Sequence, residues 1–161
     1  MSIPDRIEKT MVVAARLERV WRAISDAKEF GTWFGMEFDG PFVAGHSLRG
    51  RIMPTSVDAE IARAQEPYKG MVFIILVDRI EPMHLFSFRW HPSAVDIEVD
   101  YSGEPMTRVE FRLEEVEAGT KVTFTESGFH DVPLARRAEA FRNNDEGWTM
   151  QTMLLRKYLE P

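Results

Sequence analysis

The stretch Gly31-Thr-Trp-Phe-Gly35 combines glycine with aromatic residues, and two stretches near the other end of the chain do the same: Glu126-Ser-Gly-Phe129 and Asp145-Glu-Gly-Trp148. Strand-like segments rich in aromatic residues separate the first stretch from the other two. Tryptophans and phenylalanines from distant parts of the sequence are therefore expected to converge on one apolar interior. Such an interior predicts a container for a small apolar molecule.

The segments that flank the first stretch predict a strand and two short helices. Residues 7–13 alternate as a strand does, and in residues 16–25 apolar side chains recur at helical spacing. Asp26 can cap a second short helix, which Gly35 ends.

The remainder predicts mostly antiparallel strands and one long helix. Glycine and proline separate the strand-like segments, and a final apolar stripe recurs at helical spacing. The expected strands lie at Phe38 and at residues 46–53, 71–80, 85–90, 107–115 and 120–127, with a helical turn at 58–66 and a helix over 134–159.

Composition favours a single domain over residues 1–161. The chain is 44% hydrophobic, which is enough for one sizeable core. Its 26 acidic and 20 basic residues give a formal net charge of -6, which disfavours nucleic acids and anionic membranes as partners. The longest apolar run, residues 71–77, is too short to span a bilayer, so no membrane insertion is expected. The absence of cysteine excludes disulfides and thiolate sites and is compatible with the cytoplasm, where we expect the protein.

The order of these elements resembles the helix-grip fold of the START-like superfamily, also called SRPBCC. Within it, the chain resembles the family of homologues of the activator of the heat shock protein 90 ATPase. The resemblance implies an α+β fold in which a curved antiparallel sheet wraps around a long C-terminal helix, with two short helices after the first strand. The residues that carry it are Val20-Trp21, Trp33-Phe34, Glu126-Ser-Gly-Phe129, Gly147-Trp148, Leu154, Leu155, Tyr158 and Leu159.

Aromatic side chains between the sheet and the long helix could line a cavity that favours a flat apolar ligand. The alternative is that the same rings form a filled core. The expected cavity lies between the long helix, the sheet and the two short helices. Its candidate lining is Trp33, Phe34, Phe73, Phe86, Phe88, Trp90, Phe111, Phe124, Trp148 and Thr152.

Two polar residues are candidates for the same site. Glu126 follows Val122 and Phe124 at two-residue spacing, so its carboxylate is expected to point inward. It could orient a ligand or act as a general base, or the strand could end there and leave it to solvent or to nearby backbone amides. His46 shares a face with apolar residues of segment 46–53, and either a ligand contact or a structural hydrogen bond would explain it.

Metal and cofactor chemistry find no support in the sequence. Asp96, Glu98 and Asp100 alternate with apolar residues, but the other ligand positions of a calcium loop are missing, so a strand with a solvated acidic face is expected. The four histidines lack zinc-ligand spacing, and no nucleophile or phosphate-loop motif is present. We therefore expect no metal and no cofactor.

The long helix contains a glycine that requires an explanation. Gly147 in a helix interior costs about 1 kcal/mol relative to alanine. Either the missing side chain leaves cavity space beside Trp148, or it allows close packing of helix on sheet. Asn143 and Asn144 just before it could mark a kink or a break, which would make this region the lid if the cavity opens.

Binding of a small hydrophobic molecule, aromatic or polyketide-like, is the function that the sequence favours. A cyclase or hydrolase that uses Glu126, His46 or Arg89 is one alternative. A co-chaperone-like partner of an ATPase is the other, and an exposed apolar patch on the sheet would be its sign. The sequence leaves both a monomer and a homodimer open.

Overall fold

The computed structural model describes residues 3–160, which form a seven-stranded sheet and four α-helices. Two 3-10 turns, at Glu66–Tyr68 and Phe129–Asp131, complete the regular structure of this part of the chain. The elements are β1 Arg6–Val13, α1 Leu17–Ser25, α2 Ala27–Phe34, β2 Met36–Phe38, β3 Ser47–Ile52, α3 Ala59–Gln65, β4 Val72–Glu81, β5 Leu85–Trp90, β6 Thr107–Val116, β7 Gly119–Ser127 and α4 Leu134–Leu159.

All neighbouring strands are antiparallel, and the sheet order is β1-β7-β6-β5-β4-β3-β2. A bulge between Val77 and Arg79 shifts the register between β4 and β5, and such bulges increase the local twist of a sheet. The curved sheet and the long α4 give the helix-grip α+β fold that the sequence predicts. No helix within residues 3–160 is both long and apolar enough to cross a membrane.

The two short helices form where the sequence predicts them. The Asp26 carboxylate accepts hydrogen bonds from the backbone N–H groups of Lys28 and Glu29 at 2.9 and 3.0 Å, which caps α2. Gly35 ends the helix with φ +92°, a conformation that glycine adopts without strain. Gly31 is needed for close packing, because a Cβ atom there would lie 2.1 Å from the carbonyl oxygen of Met36.

Phenylalanine rings fill one end of the space between the helices and the sheet. Phe30 of α2 packs edge-on against Phe111 of β6 at a centroid distance of 5.7 Å. Phe42 stacks on Phe86 at 4.7 Å, and Phe86 on Phe111 at 6.0 Å. Offset and edge-to-face contacts of this kind stabilise a core beyond the burial of area.

One predicted element is absent from the described chain. Residues 95–101 do not form a strand, because β5 and β6 pair directly with each other, from Leu85 with Arg112 to Trp90 with Thr107. Residues 91–106 form the loop that connects them. Without a neighbouring strand, the alternation of apolar and acidic residues leaves all of residues 95–100 exposed.

Helix α4 runs without interruption through Asn143 and Asn144, so a break there is excluded. Both amides find partners outside the helix. Asn143 donates to the Ser93 hydroxyl at 3.1 Å, and Asn144 donates to the Glu126 carboxylate at 2.8 Å. They attach the helix to the β5–β6 loop and to the sheet.

Candidate functional site

A cleft of about 370 Å³ opens to solvent at one end of the helix and sheet layers. Its walls come from α2, α3, α4, the strands β3 to β5 and the start of the β5–β6 loop. Besides Tyr68, four aromatic rings lie on these walls: Phe34, Phe73, Trp90 and Trp148. The cleft therefore combines an apolar wall with an open mouth.

The four rings form a connected group. Trp90 is the common neighbour, with ring centroids 6.3 Å from Phe34, 6.3 Å from Phe73 and 6.2 Å from Trp148. Phe34 and Trp148 complete the group at 6.0 Å. Their ring planes are tilted relative to one another rather than stacked in parallel.

The Glu126 carboxylate lies behind this wall, fully buried, and receives four hydrogen bonds. The indole N–H of Trp90 and the hydroxyl of Thr107 donate to Oε2 at 2.8 and 2.5 Å. The indole N–H of Trp148 and the amide of Asn144 donate to Oε1, both at 2.8 Å. The donors come from β5, β6 and α4, so one carboxylate joins three elements.

This arrangement determines what Glu126 can do. A carboxylate has about four lone-pair positions, and here the four donors occupy them. All four donors are neutral, and no ion pair to Glu126 forms within residues 3–160. A buried carboxylate that accepts its full complement of hydrogen bonds is stable in place but has no free acceptor for a bound molecule. Glu126 therefore orients the two indole rings of the wall.

Gly147 provides room at the cleft. It lies on the wall beside Trp148, and no atom lies within 4 Å of the position a Cβ atom would take. Close packing of helix on sheet therefore does not explain the glycine. The missing side chain leaves open space, which is the other of the two sequence-based explanations.

Two glutamines hold the mouth of the cleft together. The amides of Gln65 on α3 and Gln151 on α4 both donate to the backbone carbonyl of Phe34, at 3.1 and 3.0 Å. That carbonyl is at the C-terminus of α2, where helical carbonyls lack intrahelical partners. Sequence reasoning missed both glutamines, because their acceptor is a backbone atom that no side-chain pattern marks.

The structure divides the predicted lining residues into two groups. Phe34, Phe73, Trp90 and Trp148 lie on the cleft, and Glu126 lies directly behind it. The others lie elsewhere. The rings in the filled core, each at most 1% exposed, are Trp33, Phe86, Phe88, Phe111 and Phe124.

Trp33 and Thr152 have local structural partners. The Trp33 indole donates to the Ala23 carbonyl at 2.8 Å within the core, and the Thr152 hydroxyl donates to the Thr149 carbonyl at 2.7 Å. Thr152 faces a separate groove between α4 and β1. The open space is thus a cleft at one end of the layers, whereas the sequence predicted a cavity along them.

The remaining polar candidates are on the surface. His46 precedes the first residue of β3 and is exposed, because the turn at Gly45, with φ +84°, ends before the inward alternation begins. Arg89 is exposed on the face of the sheet opposite to Phe88 and the core. In the described part of the chain no three His, Asp or Glu side chains are grouped to hold a metal ion.

A second polar network lies apart from the cleft, where α1, α2 and α4 meet. The Glu29 carboxylate accepts hydrogen bonds from Arg19 at 2.7 Å and from the Tyr158 hydroxyl at 2.8 Å, and Arg22 pairs with it at 2.9 Å. Burial raises the pKa of Glu29, but these hydrogen bonds and the two arginine charges outweigh burial, so its pKa lies below the ordinary value. Burial and the bond to Glu29 raise the pKa of Tyr158.

Comparison with solved structures supports the same fold. Protein MLL2253 from Mesorhizobium loti aligns with a TM-score of 0.69 at 21% identity, over 96% of each chain. The Aha1 dimer from Colwellia psychrerythraea aligns with a TM-score of 0.68 at 19% identity, again over 96% of each. DynU16, a putative protein in the dynemicin biosynthetic locus, aligns with a TM-score of 0.68 at 24% identity, over 98% of this chain and 48% of its own.

A search of curated proteins found no significant match. The family model described as Activator of Hsp90 ATPase homolog 1-like protein, however, matches residues 14–160. That range includes both short helices, the whole of α4, and all four side chains that donate to the Glu126 carboxylate. The chain therefore belongs to the Activator of Hsp90 ATPase homolog 1-like protein family.

Proposed function

We propose that the protein binds a small, flat, apolar molecule in the cleft between α2, α3, α4 and the ends of β4 and β5. The observation that carries this proposal is the orientation of Trp90 and Trp148 by one buried carboxylate. Both indole N–H groups are directed away from the cleft toward Glu126. The ring faces are thus fixed before a ligand arrives, and a preorganised site loses less entropy on binding.

The size of the cleft agrees with this proposal. Its volume of about 370 Å³ lies within the roughly 300–1,000 Å³ typical of small-molecule sites. An aromatic or polyketide-like molecule of two or three fused rings is the expected class. The likeness of the fold to a protein of a biosynthetic locus supports including such natural-product intermediates in a ligand panel.

The geometry supports binding better than catalysis. A general base must be able to accept a proton from the bound molecule. The acceptor positions of Glu126 are occupied, and His46 and Arg89 are exposed away from the cleft. The side chains proposed for a cyclase or hydrolase therefore do not converge on one point.

Gly147 allows a direct test, because it lies on the cleft wall and a Cβ atom introduced there meets no other atom within 4 Å. Titration of 2-naphthol should quench tryptophan fluorescence of the wild type with micromolar affinity, about -8 kcal/mol. Gly147→Leu should abolish the quenching while the protein remains folded. Gly147→Ala is the matched control, since one methyl group leaves most of the space and should retain binding.

Equal binding by the Gly147→Leu variant and the wild type would place the ligand elsewhere and contradict the proposal. Absence of quenching by a varied panel of naphthyl and flavonoid-like probes, together with unchanged thermal unfolding, would contradict it as well. Trp90 and Trp148 lie on the cleft, whereas Trp21 and Trp33 do not, so quenching by a molecule in the cleft would report mainly on Trp90 and Trp148. Trp148→Phe, which keeps an aromatic ring, should reduce the signal.

A further inference from the structure

An apolar stripe lies on the outer face of the sheet, on the side away from the helices. Phe73, Ile75 and Val77 of β4 face inward, so the alternate residues of the same strand face outward. Two of these are exposed: Val72 by 51% and Ile74 by 42%. They are adjacent on one face of the strand, and contiguous exposed apolar side chains are a feature of protein interaction sites.

Arginines border the stripe on both sides. Arg49 and Arg51 of β3 lie opposite Ile74 and Val72, and Arg89 of β5 lies opposite Leu76. Arg51 pairs with Glu37 and Asp39. Arg49 and Arg89 are exposed and form no ion pair with any residue between 3 and 160. The stripe is thus apolar with an uncompensated positive border, on a chain whose net charge is -6.

The loop between β5 and β6 has the complementary character. Ile97 is 88% exposed and Val99 is 44% exposed. Asp96, Glu98 and Asp100 alternate with them, and none of the three forms an ion pair in the described chain. The loop and the stripe are therefore complementary: each has exposed apolar side chains, and the acidic groups of the loop are opposite in charge to the arginines of the stripe.

The loop is held in a defined conformation. The Arg136 guanidinium of α4 donates to the Pro92 carbonyl at 2.8 Å and to the Glu104 carboxylate at 2.8 Å, and it lies 4.7 Å from the centre of the Tyr101 ring. The Tyr101 hydroxyl accepts a hydrogen bond from the backbone N–H of Asp96 at 3.2 Å. Ile97 is therefore presented to solvent by an anchored loop, which reduces the entropy lost on docking.

We infer that this loop docks on the outer sheet face of a second copy of the chain, and that the contact is reciprocal. Because Leu76 pairs with Arg89, the chain leaves β5 beside the Val72 end of β4, so the stripe and the loop lie at the same end of the sheet. A two-fold axis at this end would bring each loop to the partner's stripe. The two identical contacts together bury more surface than either contact alone. The inference does not depend on the ligand proposed for the cleft.

Sedimentation velocity of the full chain tests the inference over a concentration range from about 1 μM to about 1 mM, in which weak interfaces dissociate. The wild-type mass should rise with concentration from 18.6 kDa toward twice that value. Ile97→Asp should weaken association at least about tenfold, as loss of a central apolar contact does. Leu134→Asp is the matched control, because Leu134 is 79% exposed at the start of α4 and lies outside both surfaces.

A second variant changes the other surface. Ile74→Glu places a carboxylate opposite Arg49, which keeps the strand stable but repels the acidic loop. Each variant alone loses both contacts of a reciprocal dimer. An equimolar mixture of the two retains one intact contact, between the Ile97 loop of the Ile74→Glu chain and the Ile74 stripe of the Ile97→Asp chain. The mixture should therefore associate more strongly than either variant alone.

Two outcomes would overturn the inference. One is a wild-type chain whose mass remains 18.6 kDa at every concentration. This result would contradict self-association even if NMR showed that an acidic peptide or another protein binds to the stripe. The other is a dimer that neither variant weakens. A dimer weakened by both variants but not restored in their mixture would also count against a reciprocal contact.

Discussion

The two ends of the space between helices and sheet are built from the same class of residue, yet only one of them is open. At the closed end, phenylalanines such as Phe30, Phe86 and Phe111 contact one another on all sides. At the open end, Trp90 and Trp148 line the cleft, and each donates its indole N–H to the buried Glu126 carboxylate. Two of the four rings at the open end are held by a hydrogen bond as well as by packing.

Phenylalanine has no polar group, so only neighbouring atoms can hold its ring in position. An unfilled space beside it loses dispersion contacts and costs stability. An indole N–H with a buried acceptor has a second constraint, which holds the ring even where one face lacks neighbours. An aromatic-rich sequence therefore predicts open space only where a hydrogen-bond anchor and a small residue such as Gly147 accompany the rings.

The largest effect is expected at the closed end. Phe86→Ala should lower the free energy of unfolding by about 3–5 kcal/mol, because the surrounding rings cannot collapse into the space that the side chain leaves. Urea unfolding measures this loss, and Phe86→Leu should cost much less. A loss below 1 kcal/mol would show that the closed end is as loosely packed as the cleft.

Glu126→Gln should lower the free energy of unfolding by about 3 kcal/mol. The new NH₂ group would replace one of the two acceptor oxygens and face two hydrogen-bond donors in its place. These are Trp90 and Thr107 in one orientation of the amide, and Trp148 and Asn144 in the other. Glu8→Gln on the exposed face of β1 is the control and should be nearly neutral. Unfolding curves that coincide with the wild type would show that the buried network does not hold the open end.

Gly147 and Gly31 should respond in opposite directions to the same substitution. Gly147→Ala should raise the free energy of unfolding by about 1 kcal/mol, since helix propensity improves and the added methyl group meets open space. Gly31→Ala should lower it, because the new carbon would lie 2.1 Å from a backbone oxygen. Thermal unfolding of the two variants compares an open and a closed site directly, and destabilisation by both would contradict the open space.

The smallest effect is expected at Glu29, the carboxylate of the network at the surface. Because its pKa in the folded protein is below the ordinary value of 4.5, its stabilising effect is present above that pH and is lost as the pH falls through the folded pKa. Glu29→Gln should therefore cost up to about 1 kcal/mol at pH 7, and the difference from the wild type should disappear in acid. Urea unfolding of the variant and the wild type, at pH 7 and at a pH below the folded pKa, measures this difference. A difference that persists unchanged in acid would contradict the electrostatic origin.

The sequence predicted the inward direction of Glu126 but not its partners. Alternation with Val122 and Phe124 is a local property of β7 and correctly gave the face. The four donors lie 18 to 36 residues away along the chain, and only the assembled sheet and α4 bring them together. Likewise, periodicity identified the aromatic residues of the inner face without showing at which end of that face each ring lies.

The predicted strand at residues 95–101 failed for a related reason. Alternation of apolar and acidic residues is typical of a strand, but a strand also requires a neighbour with free backbone groups. β5 and β6 use theirs on each other. For the helices, by contrast, the caps at Asp26 and Gly35 are local, and the sequence predicted α2 correctly.

The two hydrogen bonds to the Phe34 carbonyl affect which substitutions the chain can tolerate. It accepts one amide from Gln65 and one from Gln151, although a single donor would satisfy it. Either glutamine can therefore be replaced in a lineage while the other keeps the carbonyl paired, but a lineage that loses both leaves a helix end unpaired. The two positions, 86 residues apart in the chain, should show negative epistasis, with the second loss costing more than the first.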